Sequence, residues 1–330
     1  MTISQLFGWT PTKIWFSQNQ PVLEWCHLGR ASFTEPFFDQ TVERCFRERP
    51  DILRQRTSIE ALEKLQTISP GLAPTGFIFH LSRCGSTLIS QMLAALPQNL
   101  MIAEAGPINA ILSTQFLNPS ITDIQRLSWL RGIVSALGQQ QQGEQQHYLI
   151  KFTSWNVLNL PLIQQAFPTV PWIFVYREPV EVMVSLFKNP PGWMENLTNL
   201  QFVAGFLGLE TGEVSLMPAE EYCARVLARF CGTALEYRDT NTLMLNYRQL
   251  PDAVWSKLLN FFQVAYSSAD LNCMQGVLLY DAKNRTKQFT GDSIGKQQVA
   301  SELMRQMVKQ WVGDLYEQLE VISLSQRMAS

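Results

Sequence analysis

Six consecutive residues, Ser82, Arg83, Cys84, Gly85, Ser86 and Thr87, have the makings of an anion cradle. The apolar run Phe77 to Leu81 precedes them and reads as a buried strand. Leu88, Ile89, Met92 and Leu93 come next, at the spacing of one helix face. A strand that turns through a glycine into a helix aims several backbone N–H groups, and the positive end of the helix dipole, at one point. Such a point suits a phosphate or a sulfate. Arg83 adds a permanent cation whose fork of donors fits two anionic oxygens, and Ser86 and Thr87 add hydroxyl donors. The stretch is not the nucleoside-triphosphate loop, which needs Gly-x-x-x-x-Gly-Lys before Ser or Thr. No glycine stands at the required place ahead of Gly85, and no lysine precedes Ser86.

A second arrangement of the same kind lies further on. The apolar run Trp172 to Tyr176 ends at Arg177, Pro179 opens a helix, and Ser185 comes later on that helix. Arg177 and Ser185 can then converge on one phosphate. Glu104 directly succeeds the short apolar run Leu100 to Ala103, and Lys151 sits near the end of the run Tyr148 to Phe152. Arg83, Glu104, Lys151 and Arg177 thus all fall at the ends of expected strands. Open parallel sheets bind their ligands beyond those ends, so the four are expected to share a site.

Together these motifs resemble the sulfotransferases over residues 75–320. The 82–87 stretch is similar to the family's 5′-phosphosulfate loop, in the branch with Arg-x-Gly-Ser/Thr-Thr-Leu. Arg177 through Ser185 is similar to its 3′-phosphate motif, and Tyr247-Arg-Gln-Leu250 to its late Tyr-Glu-Asp-Leu turn. The resemblance implies 3′-phosphoadenosine 5′-phosphosulfate (PAPS) as donor, 3′,5′-adenosine bisphosphate (PAP) as product, and no metal. It implies transfer of a sulfuryl group to a hydroxyl, or an amine, of a small-molecule or peptide acceptor. Arg83 and Lys151 would stabilise the transferring group. In the small-molecule branch the base is a His two residues after the strand Lys; here that residue is Thr153, which is no base at neutral pH. In the tyrosylprotein-type branch it is a Glu after the first helix and strand, where Glu104 stands. His80 is the alternative base, expected to be a core or supporting group. His27 and His147 are expected to be structural or exposed. Lys283, Arg285 and Lys287, in the basic stretch 281–289, would close over the 3′-phosphate. Cys84 would be an exposed thiol with a depressed pKa, whose alkylation blocks the donor. A kinase using ATP, and a non-catalytic nucleotide-binding protein of the same fold, stand as alternatives.

The elements that must position these residues read as an α/β protein, a mostly parallel central sheet with helices on both faces. Expected strands are Phe77–Leu81, Leu100–Ala103, Tyr148–Phe152, Trp172–Tyr176 and Thr242–Tyr247, with helices between them. Residues 73–330 would form this body, with a helical cap at 188–238 over the sheet. Residues 1–72 read as an irregular aromatic arm covering the sheet edge. It would hold a helix at Phe37–Arg47 and a capping box at Thr57-Ser-Ile-Glu60 before a second one. Trp25, Trp193 and Phe202 would line an acceptor pocket. The Gln-rich stretch Gly138–Gln146 reads as a mobile loop.

The composition sets bounds. In 330 residues, 46% are hydrophobic and 16% charged, which excludes a disordered polyelectrolyte. A net charge of −2 gives no general attraction to nucleic acid or anionic lipid, so any anion site is local. Six scattered cysteines without a Cys-x-x-Cys pair read as reduced thiols. The first residues lack the basic start and apolar run of a signal peptide, and no apolar stretch is long enough for a membrane. A cytoplasmic protein is expected.

Overall fold

The structure is a computed structural model. It describes residues 6–18, 20–114, 118, 120–139, 145–195, 197, 199–288 and 293–328, except the side chains of 284–288 and 328. Part of the Gln-rich stretch, 140–144, lies outside the described residues.

The chain begins with an antiparallel meander, β1 (Thr10–Ser17), β2 (Gln20–Cys26) and, after helix α1 (Phe38–Glu48), β3 (Arg54–Ser58). Helix α2 (Ala61–Ile68) closes this region. The expected irregular arm is therefore an ordered sheet. Its Trp25 is fully buried, and the indole N–H donates to Thr57 Oγ1 at 2.9 Å. Thr57 itself belongs to β3, paired with Leu23, so it caps no helix, and α2 has Glu60 at its start with no side-chain cap.

The body is a five-stranded sheet built from β4 (Pro74–His80), β5 (Asn99–Ala103), β6 (His147–Lys151), β7 (Trp172–Tyr176) and β8 (Thr242–Asn246). All four pairings are parallel, in the order β5-β6-β4-β7-β8. Every residue of β5, β7 and β8 is buried. This explains why they read as continuous apolar runs with no alternation. Phe79 stacks on Phe152 at 4.7 Å, and Phe77 meets Phe152 and Phe167 edge-on. The connecting helices are α3 (Ser86–Ala94), α4 (Gly106–Leu112), α5 (Asp123–Leu137), α6 (Leu160–Ala166) and α7 (Pro179–Lys188). A 3-10 turn, Ser154–Asn159, precedes α6. The meander lies against α4 and α5, not along a sheet edge, and α2 packs on α5.

The expected cap divides in two. Its first part holds helix α8 (Leu200–Leu207) and the short turns Gly192–Glu195 and Thr211–Val214. Helix α9 (Ala219–Glu236) follows and belongs to the body. Nine of its residues are buried, Phe230 and Cys231 among them, and it packs on α7 and the 3-10 turn. After helix α10 (Ser268–Val277), the expected basic loop is a hairpin of β9 (Tyr280–Asp281) and β10 (Asn284–Gln288). Helices α11 (Ser293–Val299), α12 (Glu302–Trp311) and α13 (Gly313–Met328) complete the chain. Among the described residues, no helix is long and apolar enough to cross a membrane.

The α2–α5 contact ties the meander region to the body. A Cβ at Gly132 would lie 2.7 Å from Leu62 Cβ. Alanine's better helix propensity offers about 1 kcal/mol, but overpacking of this kind costs about 1–3 kcal/mol. Gly132→Ala should therefore lower the urea unfolding midpoint. A raised midpoint would contradict the close packing.

Candidate functional site

Strand β4 lies between β6 and β7. Its onward connection runs to β5 on one side, while that of β7 runs to β8 on the other. The crevice between β4 and β7 is the place where the topology reverses, and ligands of open α/β sheets bind at such places. Arg83 leaves one wall of this crevice and Arg177 the other. Both line a single cavity of about 1070 Å³.

The turn after β4 is held in an uncommon shape. Ser82 and Arg83 have φ of 76° and 51°, and Gly85 has 87°. Side-chain-bearing residues avoid this region unless their surroundings enforce it. The enforcement is visible. The Ser82 amide donates to His80 Nδ1 at 3.1 Å, and the Leu81 amide donates to the Val175 carbonyl at 2.9 Å. The Cys84 thiol donates to the same carbonyl at 3.1 Å. At Gly85 a Cβ would fall 2.7 Å from Leu250 and 2.9 Å from Tyr247, so no side chain fits. Helix α3 then starts at Ser86, with Ser86 and Thr87 buried against the cavity.

Cys84 corrects an expectation. It is fully buried, and burial pushes its thiol up to about 12. It is a strut of the turn and not a reactive thiol.

The second cradle is built on α7. The Arg177 Nε–H donates to Glu181 Oε2 at 2.6 Å, and Nη2 donates to Ser293 Oγ at 2.9 Å. The guanidinium carbon sits 4.1 Å from the centre of the Tyr247 ring. The Ser293 hydroxyl donates onward to Glu181 Oε2 at 3.0 Å. Ser185 is buried and lines the same cavity, as does Lys296 on α11. Sequence reasoning missed Glu181, although Arg177 and Glu181 stand at the i, i+4 spacing of a helical ion pair.

On the side of the Arg83 turn away from Arg177 lies a cluster from the three neighbouring strands β5, β6 and β4. The Glu104 amide donates to the Lys151 carbonyl at 2.7 Å, continuing the β5–β6 pairing past the strand end. Glu104 itself has φ 55°. Its carboxylate is in direct contact with the Lys151 ammonium, and Lys151 is fully buried. His80 Nε2 lies 3.0 Å from the Phe152 carbonyl and 3.6 Å from Glu104 Oε1. Because the Ser82 amide is necessarily a donor, Nδ1 accepts and Nε2 carries the proton. Burial, reinforced by the Lys151 charge, pushes the imidazole down and outweighs Glu104, so His80 is a neutral donor. Burial works to raise the Glu104 carboxyl. The Lys151 charge, with the His80 ring beside it, outweighs that and holds the carboxyl well below the usual carboxylate range.

The structure thus brings Arg83, Glu104, Lys151, Arg177, Ser185 and the 82–87 turn to one rim. Lys283 lines the cavity too, while the side chain of Arg285 lies outside the described residues, as does that of Lys287. Trp193 and Phe202 line the cavity; Trp25 does not, being buried in the meander. Phe37, just before α1, was not foreseen. Its ring lies in the cavity, 5.0 Å from Lys151 Nζ. No local motif marks such a residue, because it arrives from the segment between β2 and α1, outside the five-stranded sheet.

No protein-family model and no curated protein sequence matches this chain. Solved structures similar to it are sulfotransferases and a retinol dehydratase. Sulfotransferase STF9 from Mycobacterium avium shares 12% identity over 83% of this chain and 81% of that one, with a TM-score of 0.43. The sulfotransferase domain of the Synechococcus PCC 7002 olefin synthase shares 16% over 76% and 95%, with a TM-score of 0.40. Retinol dehydratase in a complex with retinol and PAP shares 15% over 80% and 89%, with a TM-score of 0.37. At such identities and TM-scores, a functional reading has to stand on the geometry of the site.

The burial pattern predicts the thiol chemistry. Cys273 is exposed and the other five thiols are buried. An aromatic disulfide reagent should titrate one thiol rapidly in the native protein and all six after unfolding. Cys273→Ser should remove the rapid phase. A second rapidly reacting thiol would contradict the burial of Cys84 and its neighbours.

Proposed function

We propose that this protein is a PAPS-dependent sulfotransferase acting on a hydroxyl acceptor. One observation carries the reading: two anion cradles of different construction, at Arg83 and at Arg177, line the same cavity at the switch point of a parallel sheet. A nucleotide with phosphates on both its 3′ and 5′ sides needs such a pair, whereas a triphosphate needs one continuous loop. The residues fit the nucleotide by charge type and placement. The 82–87 turn and the start of α3 would hold the 5′ end. Arg177 and Ser185 would hold the 3′-phosphate, with Glu181 fixing the Arg177 guanidinium. Bound PAPS would supply the activated sulfuryl group.

The chain's own residues then have distinct tasks. Arg83 and Lys151 stabilise negative charge where the sulfuryl group departs from phosphate. Glu104 accepts the acceptor's proton. Paired with Lys151, its carboxylate is a weak base. Lys151 is shared, however, between Glu104 and any anion held at the turn. As the lysine charge is drawn to that anion, the carboxylate regains basicity in a partly dry site. His80 donates from Nε2 to the Phe152 carbonyl and packs beside the carboxylate, 3.6 Å away. Phe37, Trp193, Phe202 and Phe206 give the rest of the cavity an apolar, aromatic lining, suited to an acceptor with an apolar body.

Calorimetry should show that the chain binds adenosine 3′,5′-bisphosphate more tightly than ATP with Mg²⁺. Incubation with PAPS and a panel of phenols and alcohols should yield a sulfated product. Glu104→Gln should keep bisphosphate affinity and lose turnover by roughly 10²–10⁴-fold. Preference for ATP, or full turnover in Glu104→Gln, would contradict the assignment.

A further inference from the structure

Of Lys283, Arg285 and Lys287, expected to close over the 3′-phosphate, Lys283 is the one whose side chain the structure describes, and its surroundings are those of the other cradle. It stands at the tip of the β9–β10 hairpin, where its own amide donates to Asp281 Oδ1 at 2.9 Å. The tip is therefore shaped by the chain itself. The Lys283 ammonium lies 5.9 Å from the centre of the Phe37 ring, the ring that Lys151 approaches at 5.0 Å. Both distances are within cation–π range, so one aromatic ring receives two ammonium groups.

The charges around it point the same way. Although the residue as a whole is exposed, its ammonium is partly desolvated at the cavity wall. That desolvation, then Arg83 and Lys151, push Lys283 down to about 8, with Glu104 opposing. Arg177, at the other cradle, is engaged by Glu181, Ser293 and the Tyr247 ring. Arg83, Lys151 and Lys283 thus gather at one end of the cavity, where the opposing carboxylate, Glu104, is already in contact with Lys151. A local excess of positive charge under desolvation is unfavourable until an anion joins it.

We propose that Lys283 is the third cation of the Arg83–Lys151 end, delivered by the hairpin to the anionic group at the 5′ side of the nucleotide, and not a ligand of the 3′-phosphate. Phe37 is the platform that orients both lysines toward that group. The inference rests on the nucleotide reading above, and the experiment separates the two.

Titration calorimetry on the full chain would compare adenosine 3′,5′-bisphosphate with adenosine 5′-monophosphate. The ratio of their affinities isolates the 3′-phosphate. Lys283→Met should weaken both ligands by the same factor, about ten- to a hundredfold for a charge-assisted contact, and leave the ratio unchanged. Lys283→Arg should restore most of the loss, because the cation and its place on the Phe37 ring are kept. Ser185→Ala should lower the ratio. A Lys283→Met variant that loses the ratio itself would place the lysine at the 3′-phosphate and overturn the inference. One that binds both nucleotides like the parent would show a solvated lysine and overturn it equally. Failure of the parent chain to bind either nucleotide would overturn the nucleotide reading on which the inference stands.

Discussion

A lysine with no exposed surface cannot carry its charge alone. Lys151 is such a residue, and much of the site exists because of how the fold keeps it. Charge burial of this kind is tolerated only with a partner and saturated hydrogen bonds. Glu104 is the partner, and to reach the ammonium its backbone leaves β5 in a left-handed turn. His80, on β4, lies 3.6 Å from the carboxylate, while its Nε2 is bound to the Phe152 carbonyl and its Nδ1 holds the Ser82 amide. The same imidazole therefore sits beside the carboxylate and supports the 82–87 turn. Phe37 covers the ammonium from the meander side. A salt bridge so placed is a poor device for stability. It is a good device for storing a cation and a carboxylate side by side until an anion arrives.

The sheet makes this storage useful. Parallel strands all end on one rim, so residues distant in sequence meet there without any strand having to bend. The reversal of connections between β4 and β7 opens a crevice, and the two cradles occupy its walls. They are built differently. The Arg83 cradle is a strained turn clamped from below by the Val175 carbonyl. The Arg177 cradle is an unstrained helix start, with its guanidinium held between a carboxylate and an aromatic ring.

Much of this was legible in the sequence, for a physical reason. Strands buried on both faces must be apolar throughout, so Trp172–Tyr176 could be read to the residue, and the first polar residue past each strand had to be at the rim. Arg83, Glu104, Lys151 and Arg177 were found by reading strand ends. The features that could not be read were set by long-range contacts. Thr57 looks like a helix cap until β3 runs through it, paired with β2. Cys84 looks exposed because it lies in a loop, but the loop folds its thiol inward onto β7. Helix α9 looks like a cap because no strand divides it from α8, yet its buried face makes it part of the body. Phe37 and Lys283 reach the site from a meander and a hairpin whose positions no local pattern encodes.

The central claim is that one adenosine nucleotide spans both cradles. A crystal structure of the protein with adenosine 3′,5′-bisphosphate tests it most directly. The account predicts one phosphate at the start of α3, within hydrogen-bond reach of Arg83 and the 82–87 turn, and the other beside Arg177 and Ser185. A nucleotide with both phosphates at one cradle, or seated outside the β4–β7 crevice, would contradict it.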